Sequence, residues 1–315
     1  MDKWKTALPA ASAALALAVA WWVPNSPLHP QADAPYFAIV IGFFLAVSLM
    51  AWIVSLKSSS FRERFWTKAP FYTGVLFFLN LLNLFTGKLA KFPVLYFPSL
   101  DRVFGVLLKD APFIGKCLLY SLRLALTGWI LGAAAGLLTG VFIGFNRHAR
   151  YWIYPLVRVL GPIPSTAWIP LVLVSFPSVV SASTFLIALA VWFPTTVLTS
   201  SGIQSIQNSY FEAAATLGAS SLTTILKVGI PAAMPHMFIG LFNGTTASFI
   251  TLVTAEMLGA KYGIGWYINW QKDMMSYANV YAGLIVMSVT CYTLITLLFR
   301  LRDRMLVWQK GVIKW

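Results

Sequence analysis

Acid, base and metal chemistry need particular side chains, and this 315-residue chain holds few: nine Asp or Glu and three His. His29, His148 and His236 lie in or near loops, and none pairs with a carboxylate at helical spacing. The sequence has no His-Glu-x-x-His pair for zinc, no Gly-x-Ser-x-Gly elbow and no G-x-x-x-x-G-K-[ST] phosphate loop. A membrane hydrolase or acyltransferase would need a buried nucleophile with a base, and neither is present. Cys117 and Cys291 sit far apart in apolar runs, which excludes a disulfide framework or a zinc spacing. Both read as small buried hydrophobes. No catalytic residue, no metal ligand and no cofactor bound by the chain itself is expected.

What remains is a set of polar and conformational signals inside apolar surroundings. Glu256 follows Thr245, Thr246, Ser248, Thr251 and Thr254 toward the end of one apolar run. Burying a carboxylate in a membrane is costly, so Glu256 is a functional candidate by default. The plainer alternative is a carboxylate that is hydrated or bonded to backbone near the interface. Pro155, Gly161, Pro162, Pro164 and Pro170 interrupt another run, with Arg158 one turn after the first proline. Proline frees a carbonyl, which is tolerated at membrane depth only beside protein or water. Broken helices mark transport pathways. Arg158, Pro162, Pro164, Thr245, Ser248, Thr251 and Glu256 are therefore the candidate pathway residues. The alternative is a kinked structural helix with Ser and Thr acting as glue between helices. Gly128, Gly132, Gly136, Gly140 and Gly144 recur every four residues. Missing side chains at that spacing let a neighbouring helix come close, either as a sliding gate or as static packing.

The most specific stretch runs from Gln207 to Pro235. Phe211 to Leu217 reads as a short helix with small residues on one side. Gly218 can take a positive φ and end it, Ser220 or Ser221 can cap a second helix, and Pro231 starts the return to the membrane. A compact helix-turn-helix of this kind suits the groove of a partner.

These signals sit on elements that composition defines. Apolar residues make up 59% of the chain and charged ones 10%, with a mean hydropathy of +0.76. That excludes disordered chains, collagens, disulfide scaffolds and most soluble enzymes. Eight runs approach the roughly 20 residues of a spanning helix, at about 7–23, 36–56, 71–87, 116–145, 151–175, 183–203, 234–257 and 279–300. With the N-terminus inside, 14 of the 23 basic residues fall on the inner side, including Lys57, Arg62, Arg64, Lys68, Arg300, Lys310 and Lys314, and seven outside. That bias sets the orientation with both termini cytoplasmic, and it explains the net charge of +14 without nucleic acid. Lys3, Lys5 and the run ending Ala18-Val19-Ala20 also fit a cleavable signal, although Trp21 and Trp22 suit an interfacial anchor. Residues 88–115 form the longest outer segment. There Val103, Phe104, Leu107 and Leu108 suggest an amphipathic helix on the outer surface, or a solvated connector.

Glu212-Ala213-Ala214, Gly218 and Ile230-Pro231 resemble the EAA signature of permease subunits of ABC importers, with Val228 where Ile is usual and Ile230 where Leu is usual. Phe97-Pro98-Ser99, the glycine-rich span and Gly161-Pro162-Ile163-Pro164 with Ile169-Pro170-Leu171 extend the match. Together with Ala255-Glu256-Met257-Leu258-Gly259-Ala260 and Gly263-Ile264-Gly265, they are similar to the nitrate, sulfonate, taurine and bicarbonate branch of type I importers. The resemblance implies an all-α polytopic membrane protein of about eight transmembrane helices. A six-helix permease core would occupy 70–315, with a cytoplasmic coupling loop at about 204–233, and 1–69 would be an extra two-helix extension.

The implied function is to form the translocation pathway of an ATP-driven importer for a small anion, such as a sulfonate, nitrate or bicarbonate, or for a vitamin precursor. The implied partners are a second permease copy (in a homodimer or heterodimer), two cytoplasmic ATPases carrying ATP and Mg, an extracytoplasmic binding protein and the lipid bilayer of a bacterial inner membrane. Glu212, Ala213, Ala214, Gly218, Ile230 and Pro231 would meet the ATPase. An ATP-independent carrier or channel is the alternative, and an integral membrane enzyme a more distant one.

Overall fold

The computed structural model describes residues 3–28, 33–257 and 259–308. His29, Leu258, Lys310 and Lys314, named above, lie outside them. Every regular element among the described residues is helical. In chain order they are α1 (Leu8–Trp22), α2 (Tyr36–Lys57), α3 (Ser59–Asn83), α4 (Leu100–Lys109), α5 (Ala111–Phe145), α6 (Arg147–Leu160), α7 (Ile169–Ser175), α8 (Val179–Gln204), α9 (Asn208–Thr216), α10 (Ser221–Thr224), α11 (Ile230–Met257), α12 (Ile264–Asp273) and α13 (Tyr277–Met305).

Six stretches are long and apolar enough to cross a bilayer: Tyr36–Lys57, Ser59–Lys88, Ala111–Phe145, Val179–Gln204, Ser221–Met257 and Tyr277–Met305. A seventh is the pair Arg147–Leu160 and Ser165–Ser175, bent by 87°. The apolar helix α1 has 15 residues, about 22 Å of helix against a hydrocarbon core of roughly 30 Å. The eight expected runs each fall on one of these.

Two boundaries differ from the sequence reading. The inner loop expected before residue 71 is helical, because the Ser58 hydroxyl accepts the Phe61 N–H at 3.4 Å and starts α3 there. Arg62, Arg64 and Lys68 therefore stand on the first turns of α3. The return to the membrane starts not at Pro231 but at Ser221, since a π-turn over Ile225–Gly229 joins α10 to α11. Pro231 is the second residue of α11, directly after that π-turn.

The chain forms two compact units, one of residues up to 114 with 270–284, the other of 115–269 with 285 onward. In the first, Ala13 and Ala16 of α1 pack on Phe37 and Ile41 of α2 and on Leu76 of α3. Asp101 in the first turn of α4 accepts the Phe37 N–H at 2.9 Å, placing a carboxylate on the open N-terminal amides of α2. Lys88 Nζ donates to the Ala20 carbonyl at 2.9 Å, a cation at the C-terminal end of α1. On α4, Asp101, Val103 and Gly105 are buried, Phe104 and Leu107 half-buried and Leu108 exposed, with Asp101 accepting the Phe37 N–H and Gly105 seated on the Tyr36 ring.

In the second unit α8 is the most enclosed span. Gly128, Gly132, Gly136, Gly140 and Gly144 of α5 lie in order over Ile187, Ala188, Thr195, Thr199 and Ile203 of α8. A Cβ on Gly136 would stand 2.7 Å from that of Thr195, and one on Gly140 2.5 Å from that of Thr199. Thr139 and Thr196 share a hydrogen bond of 2.8 Å across this seam, and Trp192 Nε1 donates to Thr139 at 3.1 Å. From α11, Gly240 and Gly244 approach α8 at Thr195 and Val191.

Candidate functional site

The break between α6 and α7 builds a cleft. Asn146 Oδ1 accepts the N–H groups of His148 and Ala149 at 2.8 and 3.1 Å and starts α6. At Gly161-Pro162-Ile163-Pro164 the chain turns by 87°. Pro162 and Pro164 cannot continue the ladder, and Gly161 lies on the Phe193 ring where any Cβ would overlap. The corner, α8 and α11 enclose about 500 Å³. Trp168, Phe185, Trp192 and Phe193 supply its aromatic wall, and Ser165, Asn243 and Thr251 its polar groups. The hydroxyls of Ser165 and Thr251 meet at 2.6 Å and tie the corner to α11. Among the described residues, no Lys, Arg, Asp or Glu lines this cleft.

The candidate pathway residues fall in four places. Pro164 and Thr251 line the cleft, while Arg158 and Pro162 are exposed outside its lining. Thr245 and Ser248 face a separate cavity beside Trp129 and Leu298. There Trp129 Nε1 donates to Thr245 Oγ1 at 2.8 Å, Thr245 donates to the Leu241 carbonyl and Ser248 to the Thr245 carbonyl, each at 2.7 Å. Glu256 is fully buried at the end of α11. Its Oε1 accepts from Ser121 Oγ at 2.6 Å and its Oε2 from the Gly265 N–H at 2.7 Å. Ser121 Oγ in turn accepts the Ile264 N–H at 2.8 Å. The carboxylate thus holds the N-terminal amides of α12. Gly263, with φ +144°, packs on it so closely that a Cβ would stand 2.5 Å from Cδ.

Sequence reasoning did not single out Trp168, Phe185, Trp192, Phe193 or Asn243. Asn243, an amide amid the apolar residues of the seventh run, was the available signal. The aromatics carried none, since large apolar residues fill every span.

The other surface is the loop below α8. Helix α9 ends in a left-handed turn: Gly218 has φ +75°, its N–H donates to Ala215 O at 2.9 Å, and the Ala219 N–H reaches Ala214 O at 3.0 Å. These two bonds are those of a glycine-terminated helix. Ser220 then caps α10 by accepting the Thr223 N–H at 3.3 Å. Ala214 is buried, and Phe211 packs edge-on against Phe145 with centroids 6.3 Å apart. Glu212, Ala213 and Gly218 are exposed, Ile230 and Pro231 half-buried. Tyr210, Leu217 and Leu222 stand out, Leu217 with 87% of its surface free. Among the described residues no group of three His, Cys, Asp or Glu could hold a metal ion.

Comparison with known proteins agrees with this architecture. Residues 132–307 match the family described as binding-protein-dependent transport system inner membrane component. The bicarbonate transport system permease protein CmpB of Synechococcus elongatus is 30% identical over 235 residues, covering 74% of this chain and 80% of CmpB. SsuC of Bacillus subtilis, named for aliphatic sulfonates transport, is 29% identical over 191 residues, 61% of this chain and 69% of SsuC. An inward-facing structure of the MetNI methionine ABC transporter shares the fold with a TM-score of 0.52 at 17% identity, covering 62% of this chain and 97% of that one. Such permeases carry out transport, bind no cofactor themselves, and work with an ATPase and a substrate-binding protein. A multi-pass helical chain with a span broken between α6 and α7 and a capped loop between α8 and α11 therefore belongs to the binding-protein-dependent inner membrane component family, as the permease subunit of an ABC importer.

Proposed function

We propose that the loop over 204–233 is the segment through which this permease couples to its ATPase, which holds the ATP and Mg. The observation that carries the reading is Leu217, 87% exposed on the Gly218 turn beside Leu222. An apolar pair on a rigid, capped knob favours burial in a partner's groove. Glu212 and Ala213 form the rim of that contact, with Ala214, Ile230 and Pro231 holding the knob to the core. Residues 70–315 are the permease core and 1–69 a two-helix extension. The chain works as a pair, in its simplest form with a second copy of itself, in a bacterial inner membrane with the binding protein outside.

The cargo is a small organic solute with an apolar or planar body, an anion of the sulfonate kind or a heterocycle. The aromatic wall of the cleft and its lack of a cationic side chain support such a body over a bare inorganic ion such as nitrate or bicarbonate. Ser165, Thr251 and Asn243 are its polar contacts, with Pro164 at the corner beside them. Co-purification of the tagged chain with its ATPase subunit, repeated with Leu217→Asp, tests the coupling surface. Recruitment is expected with the wild type and at least a ten-fold loss with the variant. Equal recovery from both would refute it.

A further inference from the structure

The first unit carries a groove that the importer reading does not use. It lies between α2 and α3, with Pro9 of α1 among its lining, and encloses about 500 Å³. Phe44 and Val47 of α2 and Val75 and Leu79 of α3 line it. At one end stand Arg64 and Lys68. Four residues apart on a helix, they share one face with their Cβ atoms about 6 Å apart, a spacing from which two long side chains can converge on a single phosphate. Neither makes an ion pair among the described residues, and no Asp or Glu lines the groove. Lys57 and Arg62 lie at the same end of the hairpin, which the charge bias assigns to the inner leaflet. From Lys68 to Leu79 the apolar wall runs for about 16 Å of helix, the reach of much of an acyl chain.

We infer that this groove is a binding site for one anionic phospholipid, its phosphate between Arg64 and Lys68 and an acyl chain along Val47, Val75 and Leu79. Charge complementarity selects the occupant. A zwitterionic lipid would satisfy the apolar wall but leave the two cations without a net negative partner, and a soluble anion would leave the wall open to water. Basic pockets between spans on the inner side are suited to such head groups. The site has a task separate from transport chemistry, the seating of α1, α2 and α3 against the inner leaflet.

Native mass spectrometry of the full chain in a non-ionic detergent tests it, with phosphatidylglycerol, phosphatidylcholine and inorganic phosphate as separate probes. One phosphatidylglycerol is expected to bind about twenty-five-fold more tightly than phosphatidylcholine, at about five-fold per basic residue. Arg64→Ala with Lys68→Ala should erase that preference, and Arg64→Gln with Lys68→Gln, which keep the stems, should do the same. Arg300→Ala with Arg304→Ala removes equal charge from α13 and should leave it intact. Val75→Trp fills the groove and should weaken phosphatidylglycerol with both cations in place. Thermal melting confirms that each variant is folded. Equal affinity for the two lipids, a preference that survives loss of both cations, a preference lost equally in the α13 pair, or displacement of the lipid by equimolar inorganic phosphate would overturn the proposal.

Discussion

The hydroxyl of Ser121 and the carboxylate of Glu256 meet at 2.6 Å, inside the second unit and out of contact with solvent. Through the bonds from Ile264 and Gly265 this pair fastens the segment after α11 onto α5. Ser121→Ala would leave one amide and one carboxylate oxygen without partners, at about 1–3 kcal/mol. Melting in detergent should show the loss. Glu256→Leu should cost at least as much, and the double variant less than the sum, because both act on one network.

The glycine seam gives a contrast within one residue type. Gly136→Ala and Gly140→Ala push a methyl into Thr195 and Thr199, so each should destabilise by about 1–3 kcal/mol. Gly42→Ala and Gly74→Ala meet nothing within 4 Å and should be neutral or slightly stabilising, since alanine is the better helix former. A melting series over the four variants checks both expectations.

Gly218 holds φ +75° with open space around its Cα. Gly218→Ala should therefore cost about 1–2 kcal/mol from backbone conformation alone, with Gly218→Asn cheaper because asparagine tolerates the left-handed region. Limited proteolysis across residues 207–224 should show the alanine variant cut faster and the asparagine variant close to wild type.

In the cleft, Asn243 offers an amide among aromatic side chains. Asn243→Leu should lower uptake of the cargo about ten-fold in a reconstituted importer while ATP hydrolysis without cargo stays near wild type. A fall in both together would assign Asn243 a packing role instead.

The fold was readable where periodicity and punctuation agree. The spans followed from apolar runs, the corner from Gly161, Pro162 and Pro164, and the capped turn from Gly218 and Ser220. What escaped the sequence depends on tertiary partners. The start of α3 at Ser59 turns on a cap whose polar run Arg62 to Lys68 looks like a loop, and Asp101 of α4 is buried on the Phe37 N–H. The two candidate readings of Glu256, pathway charge or backbone partner, look alike in one dimension, because the amides it accepts lie beyond a turn. The aromatic wall was hidden by its own composition.

The most direct test of the central claim, that the 204–233 loop transmits ATPase motion to the membrane helices, is ATP hydrolysis by the reconstituted importer with and without its loaded binding protein, in wild type and Gly218→Asp. The account predicts stimulation by the loaded binding protein in the wild type and its loss in the variant, with the variant still folded by melting. Equal stimulation in both, or none in the wild type when the ATPase is bound, would contradict it.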